Sequence, residues 1–297
     1  MLRVRNYNLT SSLIDEEISI LNLADVHSDI PNLIDAINYA KIIKVDAITI
    51  AGDLFDSVDN SHNEEVVKVL KRVKDIPIYI SIGNHDLVSF TGVGLFSKAT
   101  EIKDLKYFES LNEEDNIHVF FSNDDVFSFK SMEFISFTPD YKWYSDYNES
   151  TDEFKRIFNE YLKNNLPSSK FRIMLMHSCN GLIENNILPY SIDGINLVLS
   201  GHNHAGVVPD FLQNISKNHR GLIGPYNKFF MTGCYGYWTK EKTSVILNNG
   251  VTKMGESHGG KFIRETINKT LKSDVDVISF SRGDEHSLKL VSKSVHK

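Results

Sequence analysis

Cysteine is nearly absent: Cys179 and Cys234 are the only two in 297 residues. A chain this long needs no disulfide framework, and two isolated cysteines make no zinc-finger pattern. Both read as buried free thiols in a reducing compartment. Long apolar runs are also lacking, and no stretch approaches the ~20 apolar residues of a transmembrane helix. Met1 to Tyr7 carry no apolar run of signal-peptide length, so a cytoplasmic protein without a membrane span is expected. A basic excess is missing, since 32 Lys and Arg face 39 Asp and Glu, a net charge of −7. Such a chain does not live on non-specific phosphate-backbone contacts, so nucleic acid enters only as a substrate to be tested. A local positive site is not excluded, because bound metal does not enter that count. Internal repeats and low-complexity stretches are lacking as well. No protein partner can be inferred.

What is present is a series of short apolar runs rich in β-branched residues. They are Ile18–Leu23, Ala47–Ala51, Ile78–Ile82, Phe134–Phe137, Phe171–Met176 and Leu197–Ser200, each bounded by Gly, Asp or Asn. The first three read as buried strands. Residues 31–43 start with Pro31 and carry Leu33, Ile34, Ile37 and Ala40 at helical spacing. Residues 63–74 repeat the pattern with Val66, Val67, Leu70 and Val73, and 151–165 do so with Phe154, Ile157, Phe158, Tyr161 and Leu162. Strands alternating with helices predict an α/β fold with crossover connections. After residue 205 the pattern turns to loops and short strands, such as Phe229–Thr232 and Thr243–Leu247. The expectation is one domain over 1–297. It carries an irregular insertion at about 87–132 and a polar C-terminal extension at about 268–297.

Five polar clusters stand directly after apolar runs. They are Asp25-Val26-His27, Gly52-Asp53-Leu54-Phe55-Asp56, Gly83-Asn84-His85-Asp86, Met176-His177-Ser178 and Gly201-His202-Asn203-His204. Ligands of open α/β sheets bind beyond the carboxyl ends of strands, so distant clusters can share one site. Asp25, His27, Asp53, Asn84, His177, His202 and His204 offer carboxylate, imidazole and amide ligands. These suit Mn²⁺, Fe or Zn²⁺ without a thiolate preference. One tetrahedral ion needs only four, so seven suit two divalent ions sharing a carboxylate. Such a pair, about 3.5–4 Å apart, clamps a phosphoryl group and activates a bridging water. His85, beside the metals but off them, could protonate the leaving oxygen or stabilise developing charge. A given tetrapeptide arises by chance in about one in a thousand chains of this length. The ordered set of five is therefore hard to assign to structure alone.

The ordered set D-x-H, G-D, G-N-H-[D/E], H, G-H-x-H resembles the calcineurin-like metallophosphoesterases, here across residues 25–204 with no departure. The resemblance implies an αββα sandwich of two mixed β-sheets flanked by helices, with a two-metal centre at one end. It implies that Asp25, His27, Asp53 and His204 hold one metal, and that Asp53, Asn84, His177 and His202 hold the other. His85 matches the family's catalytic histidine, and Asp56 an Asp that orients it in several branches. A solvated or capping role for Asp56 stays open. The substrate class implied is a small or medium phosphoester. His27 leans towards diesters, with a monoester as the alternative and Mn²⁺ the favoured metal. A nuclease branch is similar around Gly52–Asp56, but the acidic charge argues against it. The fold is shared with a non-catalytic retromer scaffold, whose kind loses ligands that are complete here.

Other residues take blander readings. Asp29 is expected to cap the helix near Pro31, and Asp86 to stabilise its turn. His62, His118, His258, His286 and His296 lack ligand-like neighbours. In Asn218–Pro225, Arg220 and His219 are the candidates for substrate binding, Arg220 by contact with a phosphate or the leaving group, although a plain turn is the simpler reading. Tyr235, Tyr237 and Trp238 read as packing on a strand edge rather than stacking on a base or sugar.

Overall fold

The computed structural model describes residues 2–56, 60–91, 98–139, 151–164, 168–183, 188–189, 191–208, 210–213, 217–222, 230–252, 265, 271 and 273–296. The apolar runs form strands where β-branching and burial dictate. They appear as β2 (Ile18–Leu23), β3 (Ala47–Ala51), β4 (Ile78–Ser81), β9 (Met132–Ser136), β10 (Phe171–Leu175) and β11 (Leu197–Ser200). The three expected helices are α1 (Ile30–Ile43), α2 (Asn60–Lys71) and α5 (Thr151–Asn164). Helix α1 starts where Asp29 accepts from Asn32 N at 3.1 Å, with Pro31 in its first turn, as expected of a cap. It ends at Lys44 in the left-handed conformation.

Two mixed sheets result. The seven-stranded sheet runs β15-β1-β14-β2-β3-β4-β7, with β1 (Leu2–Ser11), β7 (Ile117–Val119), β14 (Ser273–Arg282) and β15 (Ser287–His296). In it β2, β3, β4 and β7 run parallel. The six-stranded sheet runs β12-β13-β11-β10-β9-β8, with β8 (Val126–Phe129), β12 (Gly236–Lys240) and β13 (Thr243–Leu247). Here β9, β10, β11 and β13 run parallel. After the one-turn helix α3 (Asn84–Leu87), a separate hairpin pairs β5 (Val88–Thr91) with β6 (Lys98–Ile102).

Alternation along the strands builds the layers. Ala47 and Ala51 of β3 face an inter-sheet core with Phe171, Ile173 and Leu175 of β10 and Leu197 and Leu199 of β11. Ile48 and Ile50 turn the other way, onto Leu33, Ile37, Val66 and Leu70 of α1 and α2. Met174 and Val198 face Phe154, Phe158 and Tyr161 of α5. The architecture is the expected αββα sandwich. No helix among the described residues is long and apolar enough to cross a membrane.

Several stretches differ from the sequence reading. The stretch at about 87–132, expected to be irregular, carries β5, β6, helix α4 (Lys106–Asn112), β7 and β8 among its described residues. Strand β1 has no counterpart among the expected strands, and the polar C-terminal stretch forms β14 and β15 on either side of it. Buried ion pairs explain why. Arg3 meets Asp274 across β1 and β14, and Arg5 Nε meets Asp276 Oδ1 at 2.7 Å. Phe230–Thr232 form a turn and bend rather than a strand, because Gly233 and Cys234 bond back to Asn218 and His219 carbonyls. Phe229 and His258 lie outside the described residues, as do residues 223–225.

Candidate metal centre

Parallel strands bring the five clusters to one end of the sandwich. The loops after β2 and β3 continue pairing, with Asp25 N, His27 N and Ser28 N donating to Gly52, Asp53 and Leu54 carbonyls at 3.0–3.1 Å. The two sheets are then joined across the gap. His177 Nδ1 donates to Ala51 O at 2.8 Å, and His202 N donates to both Asp25 oxygens at 3.0 Å. Gly201 N donates to His177 O at 2.9 Å.

The backbone is strained where it turns these side chains inward. Asp25, His27, Asp53, His202 and His204 all have positive φ, between 44° and 75°. Each such residue costs about 1–2 kcal/mol in an L-amino acid. Two glycines make room. Gly52, at φ 78°, lies so close to His177 that a Cβ would strike the ring. A Cβ on Gly83 would strike Asp53.

Three groups of ligand atoms result, each within 4.8 Å: Asp25, His27 and His204; His27, Asp53 and His85; Asp53, His177 and His202. All these residues are buried except His204, which is half-buried. Asp53 Oδ2 lies 3.0 Å from His177 Nε2 and 3.8 Å from His27 Nε2. His204 Nε2 lies 3.4 Å from His27 Nε2 and 3.5 Å from Asp25 Oδ1. His204 Nδ1 donates to Thr252 O at 2.9 Å, so its Nε2, like that of His177, is left to face inward. Asn84 is buried, and its Oδ1 has no hydrogen-bond partner among the described residues. A buried acceptor left bare beside carboxylates and imidazoles suits a cation. The donor set thus fits hard-to-borderline divalent ions. Distance alone does not separate His85 from the other grouped residues.

Charge is redistributed by this crowding. Burial would raise Asp53, but the His177 and His85 rings hold it well below the usual carboxylate range. Burial opposes the charge on His177 too, yet the Asp53 and Asp25 carboxylates lift it to about 9. His202 is pushed well down by burial and by His177. His85 is lowered by burial, with Asp53 and Asp56 acting against it.

The supporting residues divide as follows. Asp56 is buried, with its N–H on Ser28 Oγ at 3.0 Å. Asp86 accepts from Gly83 N at 2.8 Å, Phe55 N at 2.9 Å and Leu54 N at 3.3 Å, stapling the Gly-Asn-His-Asp turn to the Gly-Asp loop. Burial and Asp53 push Asp86 up to about 7 against the pull of those amides. Arg220 is exposed in a segment tied to the loop after His204 through Leu222 N to Gly206 O, 2.8 Å. His219 is half-buried and packs its ring against Tyr235 and Trp238, at 5.1 and 6.0 Å. Tyr235 donates to Gln213 O at 3.1 Å, Tyr237 packs on Tyr7, and Trp238 joins the α5-side core. His118 stacks on Tyr79, and His286 bonds Ser244 Oγ at 2.8 Å. His296 lies against Tyr39, and His62 is exposed.

Sequence reasoning missed four supports. Thr252 holds His204, and Lys103 Nζ donates to the carbonyls of His85 and Asp56. Asn180 and Asn203 exchange amide hydrogen bonds at 2.8 and 3.1 Å, joining the His177 loop to the His202–His204 loop. Only Asn203, lying between His202 and His204, carried any local signal.

At the family level, the chain matches the calcineurin-like phosphoesterases over residues 18–206. Among solved structures it is similar to TT1561 of Thermus thermophilus, at TM-score 0.38 and 12% identity, covering 63% of this chain and 83% of that one. It is similar to a novel archaeal phosphodiesterase at TM-score 0.39 and 11% identity, covering 79% and 85%. A dimetal phosphatase from Danio rerio is similar at TM-score 0.37 and 9% identity, covering 78% and 87%. Comparison with curated proteins finds no significant match.

Proposed function

The chain belongs to the calcineurin-like phosphoesterase family, and on that premise we propose that it hydrolyses phosphodiesters at a centre of two divalent metal ions. The observation that carries this reading is the position of Asp53, whose carboxylate belongs to two of the three ligand groups and faces His27 and His177 together. Asp25, His27, Asp53 and His204 would hold one ion. Asp53, Asn84, His177 and His202 would hold the other, with Asp53 between them. Two divalent ions bring about +4, of which two carboxylates offset about half, so an anionic phosphoester is attracted. Bound there, such a pair supplies Lewis-acid polarisation of the phosphoryl oxygens and an acidified water as nucleophile.

The remaining work falls to the chain. His85 is tied to the shared carboxylate through its N–H, 2.8 Å from Asp53 Oδ1, and its ring stands edge-on to His27 at 4.8 Å. We assign His85 as the donor to the leaving oxygen rather than as an eighth ligand on its place in the Gly-Asn-His-Asp motif, with its ring within reach of His27 and Asp53. Asp56 acts on His85 through its negative charge, which favours the protonated ring. Exposed Arg220 and its neighbour His219 are the residues we assign to substrate contact, Arg220 to a phosphate. The preference for diesters follows the His27 position, and Mn²⁺ suits the mixed oxygen and nitrogen donors.

The test uses purified protein with Mn²⁺ on bis-p-nitrophenyl phosphate and on p-nitrophenyl phosphate. Faster turnover of the diester, with His85→Ala losing at least ~100-fold, is the expected result. No hydrolysis of either substrate with any divalent metal would refute the enzymatic reading. Preference for the monoester would reverse the diester assignment alone.

A further inference from the structure

Lys103 takes no part in the chemistry above, yet its side chain reaches the base of the centre. It directly follows β6 of the separate hairpin, and its backbone N–H donates to Leu87 O at 2.8 Å. Its half-buried ammonium then donates to His85 O at 2.9 Å and to Asp56 O at 3.0 Å. One carbonyl belongs to the Gly-Asn-His-Asp turn and the other to the Gly-Asp loop. The charges facing the ammonium are the Asp86, Asp56 and Asp53 carboxylates.

We propose that Lys103 is a positioning residue for the proton donation assigned to His85, an inference that rests on that assignment. His85 is gripped at both ends of its main chain, by Asp53 Oδ1 on its N–H and by Lys103 Nζ on its carbonyl. The same ammonium holds Asp56, the residue whose charge acts on the His85 ring. One cation thus sets the distance between the histidine and its electrostatic partner. Both bonds go to main-chain carbonyls, not to the seven assigned ligand side chains, so removing the ammonium breaks no hydrogen bond to a ligand. Hydrogen bonds from charged donors are the stronger kind, and displacements of about 1 Å near a reacting group cost ~100-fold in rate. The arrangement also makes the β5–β6 hairpin part of the machinery, because Lys103 is its anchor to the turn.

The experiment compares Lys103→Met with wild type in the Mn²⁺-loaded full chain, using bis-p-nitrophenyl phosphate. The expected result is a fall in kcat of about 10- to 100-fold, with KM within about threefold and metal content per chain unchanged. In a His85→Ala background the same change should cost less than about twofold, because the group it positions is gone. No loss in the first background, an equal loss in both, or loss of metal along with activity each overturns the proposal. Should Lys103→Met prove insoluble, Lys103→Gln is carried through the same two backgrounds under the same criteria. Full activity in His85→Ala alone would refute the assignment of His85 instead. A large loss there beside wild-type rates for Lys103→Met would remove only the role of Lys103.

Discussion

A single methyl group tests how tightly the centre is built. Gly83 has φ −106° and ψ −177°, extended backbone that alanine adopts without strain. Any cost of Gly83→Ala is therefore steric. The new Cβ would overlap Asp53 Oδ1 and the Asp53 backbone nitrogen, and would lie 2.9 Å from Asp53 Cγ. The carboxylate oxygen can swing aside, but only by giving up its 2.8 Å bond from His85 N. The backbone nitrogen cannot swing at all, so the two loops must part. Overpacking of this kind costs about 1–3 kcal/mol in stability. Moving the shared carboxylate by about 1 Å costs a further ~100-fold in rate. Gly283→Ala is the control. Its Cβ would crowd Thr10 at 2.8 Å, just past the end of β14. Strand β14 runs antiparallel to β2, which places that end away from Asp25. Both variants should lose stability in urea, Gly83→Ala the more, while only Gly83→Ala loses bound metal and at least ~30-fold in kcat/KM. Gly83→Ala with full metal content and activity within about threefold would refute the reasoning, as would an equal loss of activity in Gly283→Ala.

Three further outcomes follow. In metal-free protein His177 should stay protonated through neutral pH and titrate near 9, as read from its ring nitrogens by NMR; a neutral ring at pH 7 contradicts the Asp53–His177 pairing. Because this pKa lies above the ordinary 6.5, the pair stabilises the metal-free fold by about 3 kcal/mol below pH 6.5, and that is lost as pH rises through 9. Metal must displace the same proton, so affinity measured by calorimetry should climb towards about tenfold per pH unit between 7 and 8, and a flat profile rejects the linkage. Asp276→Asn should cost about 3–5 kcal/mol in urea unfolding, since it leaves Arg5 buried without its counter-charge; a loss below about 1 kcal/mol would show the pair to be dispensable.

The centre was more legible than the frame that carries it. Strands β2, β3, β4, β10 and β11 are short and apolar, and the clustered Asp, Asn and His residues lie just past each end. Pattern and residue type therefore pointed to the same place. Strands β1 and β14 obey a different logic. Arg3 and Arg5 look solvent-facing in a linear reading, yet both are buried against carboxylates 271 positions away. No local periodicity reports a pairing of that span. The supports of the centre escaped for the same reason. Lys103 stands in a stretch that looks like a surface insertion, and Thr252 follows an apolar strand with nothing to mark it. Their roles arise only once folding brings their bonds to His85 and His204. Asp29 shows the converse case, because a cap acts within one helical turn and its acceptor bond to Asn32 N is local.

The measurement that bears most directly on the central claim is anomalous diffraction from crystals of the protein loaded with Mn²⁺. Two peaks about 3.5–4 Å apart are expected, with the Asp53 carboxylate between them, Asn84 Oδ1 on the ion held by His177 and His202, and the His85 ring on neither. A single ion, or two ions with His85 as a ligand and Asp53 touching only one, would contradict that claim.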